Sequence, residues 1–126
     1  MAQPIVYVDR SDIRPAAMSE LRTAIAELVA FVNEREPQLL AYGFHIDEGT
    51  STMWVVAVHP DAASLELHLR IGGPEFRKVA EYITLRTIDV YGEPGEEVMR
   101  LLHEKARMLG DASVAVHPQT AGFART

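Results

Sequence analysis

The sequence predicts a single α+β domain over residues 1–126, built on a ferredoxin-like βαββαβ antiparallel sheet with a helix and a short strand added at the C-terminal end. Three observations carry this. Four runs rich in β-branched and aromatic residues are separated by helical patterns after the first and the third. The second and third runs are joined only by EGTS, the length of a hairpin loop. The third run is apolar on both faces, which marks a strand covered on both sides.

Residues 4–9, PIVYVD, form the first strand. After a turn at residues 11–14, Pro15 suits the first position of a helix, where its missing N–H is not needed. Met18, Leu21, Ile25, Leu28 and Val32 then recur at spacings of three and four, so an amphipathic helix runs to about Glu36 and ends at Pro37. Residues 39–47 are the second strand, with Leu40, Tyr42, Phe44 and Ile46 on one face. Residues 52–59 are the third, with Trp54, Val56 and Val58 on one face and Met53, Val55 and Ala57 on the other. One helical layer covers one of these faces; the second needs the C-terminal segment or another copy of the chain.

A second helix is predicted over residues 61–71. Its wheel puts the Glu66–Arg70 pair outward and His68 inward between Leu65 and Ile71. Gly72, Gly73 and Pro74 are expected to break it, leaving a short helical turn over residues 75–82. Residues 85–91 alternate as the fourth strand, closing the core at residues 4–91. The extension, residues 92–118, holds a helix at 94–109 and a strand at 113–117. Glu96 and Glu97 at the start of that helix and Lys105 and Arg107 near its end match the helix dipole, and Gly110 stops it. Residues 119–126 form a tail with Phe123 as its apolar anchor.

Composition narrows the function classes. Apolar residues make up 48% and charged residues 24% of the 126 positions, ordinary for a folded domain. A net charge of -6, with twelve Lys and Arg dispersed among acids, argues against a nucleic-acid partner. With no cysteine there is no disulfide, thiolate catalysis or cysteine-ligated metal. The first ten residues carry no signal-peptide pattern and no run approaches the roughly 18 apolar residues of a membrane span, so the expectation is a soluble cytoplasmic protein without a membrane partner.

The segment DAASLELHL at residues 61–69, followed by GPEFR at 73–77, resembles the helix of the antibiotic biosynthesis monooxygenase-like proteins. The resemblance covers residues 4–91. It implies a dimeric α+β barrel, hence a homodimer, and a cofactor-independent oxygenase acting on a small aromatic or quinol-like molecule. Members of that family often carry Glu and Trp before the Asp that opens the helix; those positions are Ala57 and His59 here. Of the asparagine, tryptophan and helical histidine used by the haem-degrading branch, only the histidine has a counterpart, His68. The first strand offers Tyr7 and Asp9 but no asparagine.

His68 is the candidate catalytic residue. An inward histidine can draw a proton from a phenol so that the anion reacts with oxygen, or it can be a core histidine satisfied by a carbonyl or water. Tyr42, Phe44, Trp54, Phe76 and Tyr82 are candidates to line an apolar substrate pocket, or are core and dimer interface. His59, before Pro60, is placed at the pocket rim. His45 and His59 lie on the order of 13 Å or more apart along the hairpin at about 3.3 Å per residue. No HxH or HExxH spacing occurs, so no metal is expected. The competing class is a non-catalytic domain that binds a small apolar ligand or serves in assembly.

Overall fold

The computed structural model describes residues 3–125. The elements run β1 (Ile5–Ile13), a 3-10 turn (Pro15–Ala17), α1 (Met18–Arg35), β2 (Ala41–Asp47), β3 (Thr52–His59), α2 (Ala62–Ala80), β4 (Ile83–Tyr91), α3 (Glu96–Leu109) and β5 (Ser113–His117). They build a five-stranded sheet of order β2-β3-β1-β4-β5, antiparallel except for the β4–β5 pair. This is the predicted ferredoxin-like α+β core with one βαβ unit added at its edge. No helix of the described residues is long and apolar enough to cross a membrane.

Strand alternation sorts the side chains. Ile5, Tyr7, Asp9, Met53, Val55, Ala57, Ile88 and Val90 are buried beneath the helices. Register aligns them in rows: Tyr7 lies opposite Ala57, which lies opposite Tyr42, and Asp9 lies opposite Val55, which lies opposite Phe44. β1 is longer than its apolar run suggests. Ser11 and Asp12 pair with β3 and β4 on either side after a bulge at Arg10/Ser11, so the expected turn at residues 11–14 is mostly strand.

The predicted break in the second helix does not occur. α2 runs unbroken through Gly72, Gly73 and Pro74, capped at its start by Asp61, whose side chain accepts from the Ser64 amide at 2.9 Å. Two packing facts explain this. Phe76 and Val79 are buried, so the C-terminal half is held by the core. At Gly72, a Cβ would stand 2.5 Å from Phe76 Cζ, so its glycine serves close packing and not a turn. Pro74 removes only one intrahelical hydrogen bond. Gly72→Ala is therefore expected to lower stability by about 1–3 kcal/mol through overpacking. Gly73→Ala, where a Cβ meets nothing within 4 Å, is expected to raise it by roughly 0.5–1 kcal/mol. Thermal melts of the two variants moving in the same direction would contradict this.

The C-terminal segment does not cover the second sheet face. Lys105, Val98, Leu102 and Leu109 of α3 are buried on the same side as α1 and α2, and β5 lengthens the sheet edge beside β4. Gly110 stops α3 at φ 147°, where a Cβ would press within 2.8 Å of the Leu85 carbonyl oxygen. The opposite face keeps Val6, Val8, Val56 and Val58 half-buried and Trp54 exposed.

Candidate functional site

Between the inner sheet face and the helices lies a cavity of about 30 Å³, whose lining includes Tyr7, Asp9, Tyr42, His68, Phe76 and Lys105. Three elements supply its chemistry. α2 turns His68 inward, 2% exposed. The residue that ends α1, Glu36, reaches the ring, and His68 Nδ1 lies 2.8 and 2.9 Å from its two carboxyl oxygens. Burial holds the His68 pKa below its ordinary value, opposed by Glu36, so the ring is neutral near pH 7. Nδ1–H then donates to Glu36, leaving the Nε2 lone pair without a hydrogen-bond partner among the described residues.

Lining the same cavity is a buried lysine. Lys105 Nζ donates to Tyr7 Oη at 2.8 Å, and Tyr7 Oη donates to Asp9 Oδ2 at 2.5 Å. Nζ is 3.7 Å from the same Asp9 oxygen and 4.3 Å from the centroid of the Phe76 ring. Burial pushes the Lys105 pKa down and those of Asp9 and Tyr7 up, while the Lys105–Asp9 attraction opposes the shift in both partners of the pair. Tyr42 packs edge-on to His68 at 5.2 Å and Phe76 lies 5.1 Å from it on another side. A lone-pair base, a lysine donor and two phenols thus converge on one small apolar space. That is an arrangement for taking a proton from a weak acid and stabilising the anion formed.

Of the residues singled out in the sequence, His68, Tyr42, Phe44 and Phe76 are brought together around this cavity. Trp54 is not among them: register opposite His45 and Arg10 turns it to the other sheet face, 36% exposed. His59 is not at a rim. It is fully buried behind His68, with ring centroids 5.5 Å apart, its Nδ1 2.7 Å from Ser64 Oγ and its Nε2 unpartnered. Burial lowers its pKa to about 3, so it is a neutral core histidine. Tyr82 sits half-buried in the turn from α2 to β4, outside the cavity lining. No group of three or more His, Cys, Asp and Glu able to hold a metal occurs among the described residues.

Glu36, Asp9, Tyr7 and Lys105 were not singled out as site residues from the sequence. For Lys105 a signal exists: it falls on the stripe Val98, Leu102, Lys105, Leu109, the buried face of α3. Asp9 and Tyr7 share the inward phase of β1 with Ile5. Glu36 lies beyond the last helical residue, where periodicity says nothing about direction.

Neither a family model nor a curated protein sequence matches the chain. Solved structures do. MupZ from Pseudomonas fluorescens superposes with a TM-score of 0.75 at 16% identity, over 98% of this chain and 95% of its own, so α3 and β5 fall within the match. SnoaB from Streptomyces nogalater, a cofactor-independent oxygenase, has a TM-score of 0.60 at 18% identity and covers 75% of this chain and 97% of its own. An antibiotic biosynthesis monooxygenase has a TM-score of 0.57 at 20% identity, over 68% of this chain and 92% of its own. At these identities the likeness concerns backbone architecture. The chain has the fold of the antibiotic biosynthesis monooxygenase-like proteins.

Proposed function

We propose that the protein is a cofactor-independent monooxygenase acting on a small phenolic or quinol-like molecule, with His68 as general base. The observation that carries this reading is the buried Glu36–His68 pair, which leaves one unprotonated ring nitrogen at a cavity that Lys105 also lines. His68 takes the hydroxyl proton. The resulting anion passes one electron to dioxygen, the two radicals combine as a peroxide anion at a ring carbon that bears a hydrogen, and the protonated His68 returns its proton to give the hydroperoxide. Loss of water leaves a new carbonyl, so one oxygen atom enters the product and the other departs as water. Lys105 and the Tyr7 hydroxyl stabilise the developing negative charge, the role preorganised donors play in a dry site. The test is oxygen uptake with hydroquinones by the wild-type chain and by His68→Gln.

A second reading, a non-catalytic domain of the same fold that serves in small-ligand binding or assembly, has one observation in its favour. A cavity of about 30 Å³ holds on the order of one water, while a benzene-sized cavity is about 150 Å³. No oxygen uptake with any hydroquinone by the folded wild-type chain would select it.

We also propose that the protein is a homodimer, packed through the sheet face bearing Val6, Val8, Trp54, Val56 and Val58. An apolar strand face left without a helical layer is what association through a two-fold axis buries. Light scattering is expected to give twice the mass of the 14.0 kDa chain, and Val8→Lys with Val56→Lys to give a monomer. A monomeric wild type would dispose of this assembly.

A further inference from the structure

The cavity at His68 is separated from a much larger space by two side chains. Between α2 and α3 lies a cleft of about 380 Å³, lined by Leu69, Gly73, Phe76, Leu101, Lys105 and Met108 among others. Phe76 and Lys105 line both this cleft and the inner cavity, so they form the wall between them. On its other sides Tyr42 parts the inner space from one of about 170 Å³ that Glu36 also lines, and Phe44 parts it from one of about 260 Å³.

We propose that the α2–α3 cleft is the outer compartment of one divided binding site, and that its ligand is an elongated molecule: a phenolic ring at one end, an apolar chain at the other. The ring lies beyond the wall with its hydroxyl at His68, and the chain lies in the cleft against Leu69, Leu101 and Met108. The inference rests on the reading of His68 as the group that meets an acidic hydroxyl.

Three features support it. The inner cavity of about 30 Å³ takes a ring only if a wall moves, and the cleft beyond Phe76 and Lys105, at about 380 Å³, is roomier than the spaces of about 170 Å³ beyond Tyr42 and about 260 Å³ beyond Phe44. The segment bearing Phe76 has less intrahelical bonding than the rest of α2, because Pro74 leaves the Arg70 carbonyl without its helical donor, and Gly73 adds backbone freedom. The cleft is also empty where a side chain could fill it: a Cβ at Gly73 meets nothing within 4 Å. Lys105 is a long, unbranched side chain over the Phe76 ring, so rotation about its stem moves the ammonium with the wall.

Calorimetric titration with phenol and its 4-methyl to 4-hexyl derivatives tests this. Affinity for the full-length chain is expected to rise about two- to fourfold per added methylene, as transfer of the chain onto the Leu69, Leu101 and Met108 side of the cleft, away from Arg77 and Glu104, requires. Gly73→Leu fills the cleft from α2, and Met108→Trp fills it from α3. In both variants the ratio of 4-hexylphenol to phenol affinity is expected to drop at least tenfold, and the use of two walls guards against misfolding of one variant. An unchanged ratio in folded variants overturns the proposal, as does failure of every phenol in the series to bind. Chain-length dependence without oxygen uptake would keep the divided site and remove the oxygenase. Oxygen uptake without chain-length dependence would do the reverse.

Discussion

Replacing His68 by glutamine is expected to slow oxygen uptake by about 10²–10⁴-fold, the range supplied by a positioned general base. Glutamine roughly fills the space and can still donate to Glu36, so the change removes the proton acceptor more than the packing. The pH profile gives a second readout. Burial depresses the His68 pKa, so Nε2 remains unprotonated as pH falls through 6.5, and the acid limb of the rate should lie below that value. Stability follows the same sign: the unfolded chain binds a proton at this histidine before the folded one does, so folding weakens as pH drops below 6.5. A rate unchanged in His68→Gln, or an acid limb at 6.5 or above, would count against His68 as the base.

Asp9→Ala is expected to destabilise the fold by about 3–5 kcal/mol, because it strands Lys105 in a dry site. For a chain of this size that is a fall in melting temperature of roughly 10–25 °C. Adding Lys105→Met is expected to restore at least half of the loss, since an apolar side chain of similar length needs no partner there. The double variant should nonetheless have lost oxygen uptake, as the cation facing His68 is gone. If the two substitutions simply add in thermal or denaturant unfolding, Asp9 and Lys105 do not act as a pair and the electrostatic account of the cavity fails.

These two expectations draw on residues of unequal visibility in the sequence. His68 can be placed by its own helical wheel, because Glu66 and Arg70 define the wet face of α2 through local spacing alone. The pairing of His68 with Glu36 spans 32 positions and depends on where the end of α1 meets α2. Lys105 carries a periodic signal, but the same residue also reads as a favourable charge near a helix C-terminus. Its inward direction is settled by an oxygen 98 positions away on Tyr7. The Gly72-Gly73-Pro74 run misleads for a related reason. Local preference calls for a stop, while burial of Phe76 and Val79 against the core outweighs the one lost hydrogen bond.

What the sequence determined by itself is therefore the local and periodic part: the order βαββαβ with its added helix and strand, the hairpin that joins the second and third strands, and the inward turn of His68. Alternation also separated Trp54 from Met53 and Val55, though not which of the two faces the helices would take. Tertiary structure alone decided that choice, and with it the removal of Trp54 from the cavity and the burial of His59. It also brought Glu36, Tyr7, Asp9 and Lys105 around one histidine. The physical reason is that periodicity records which side of an element is apolar. Contacts between buried polar groups depend on which elements meet, and that is settled by packing across the whole domain.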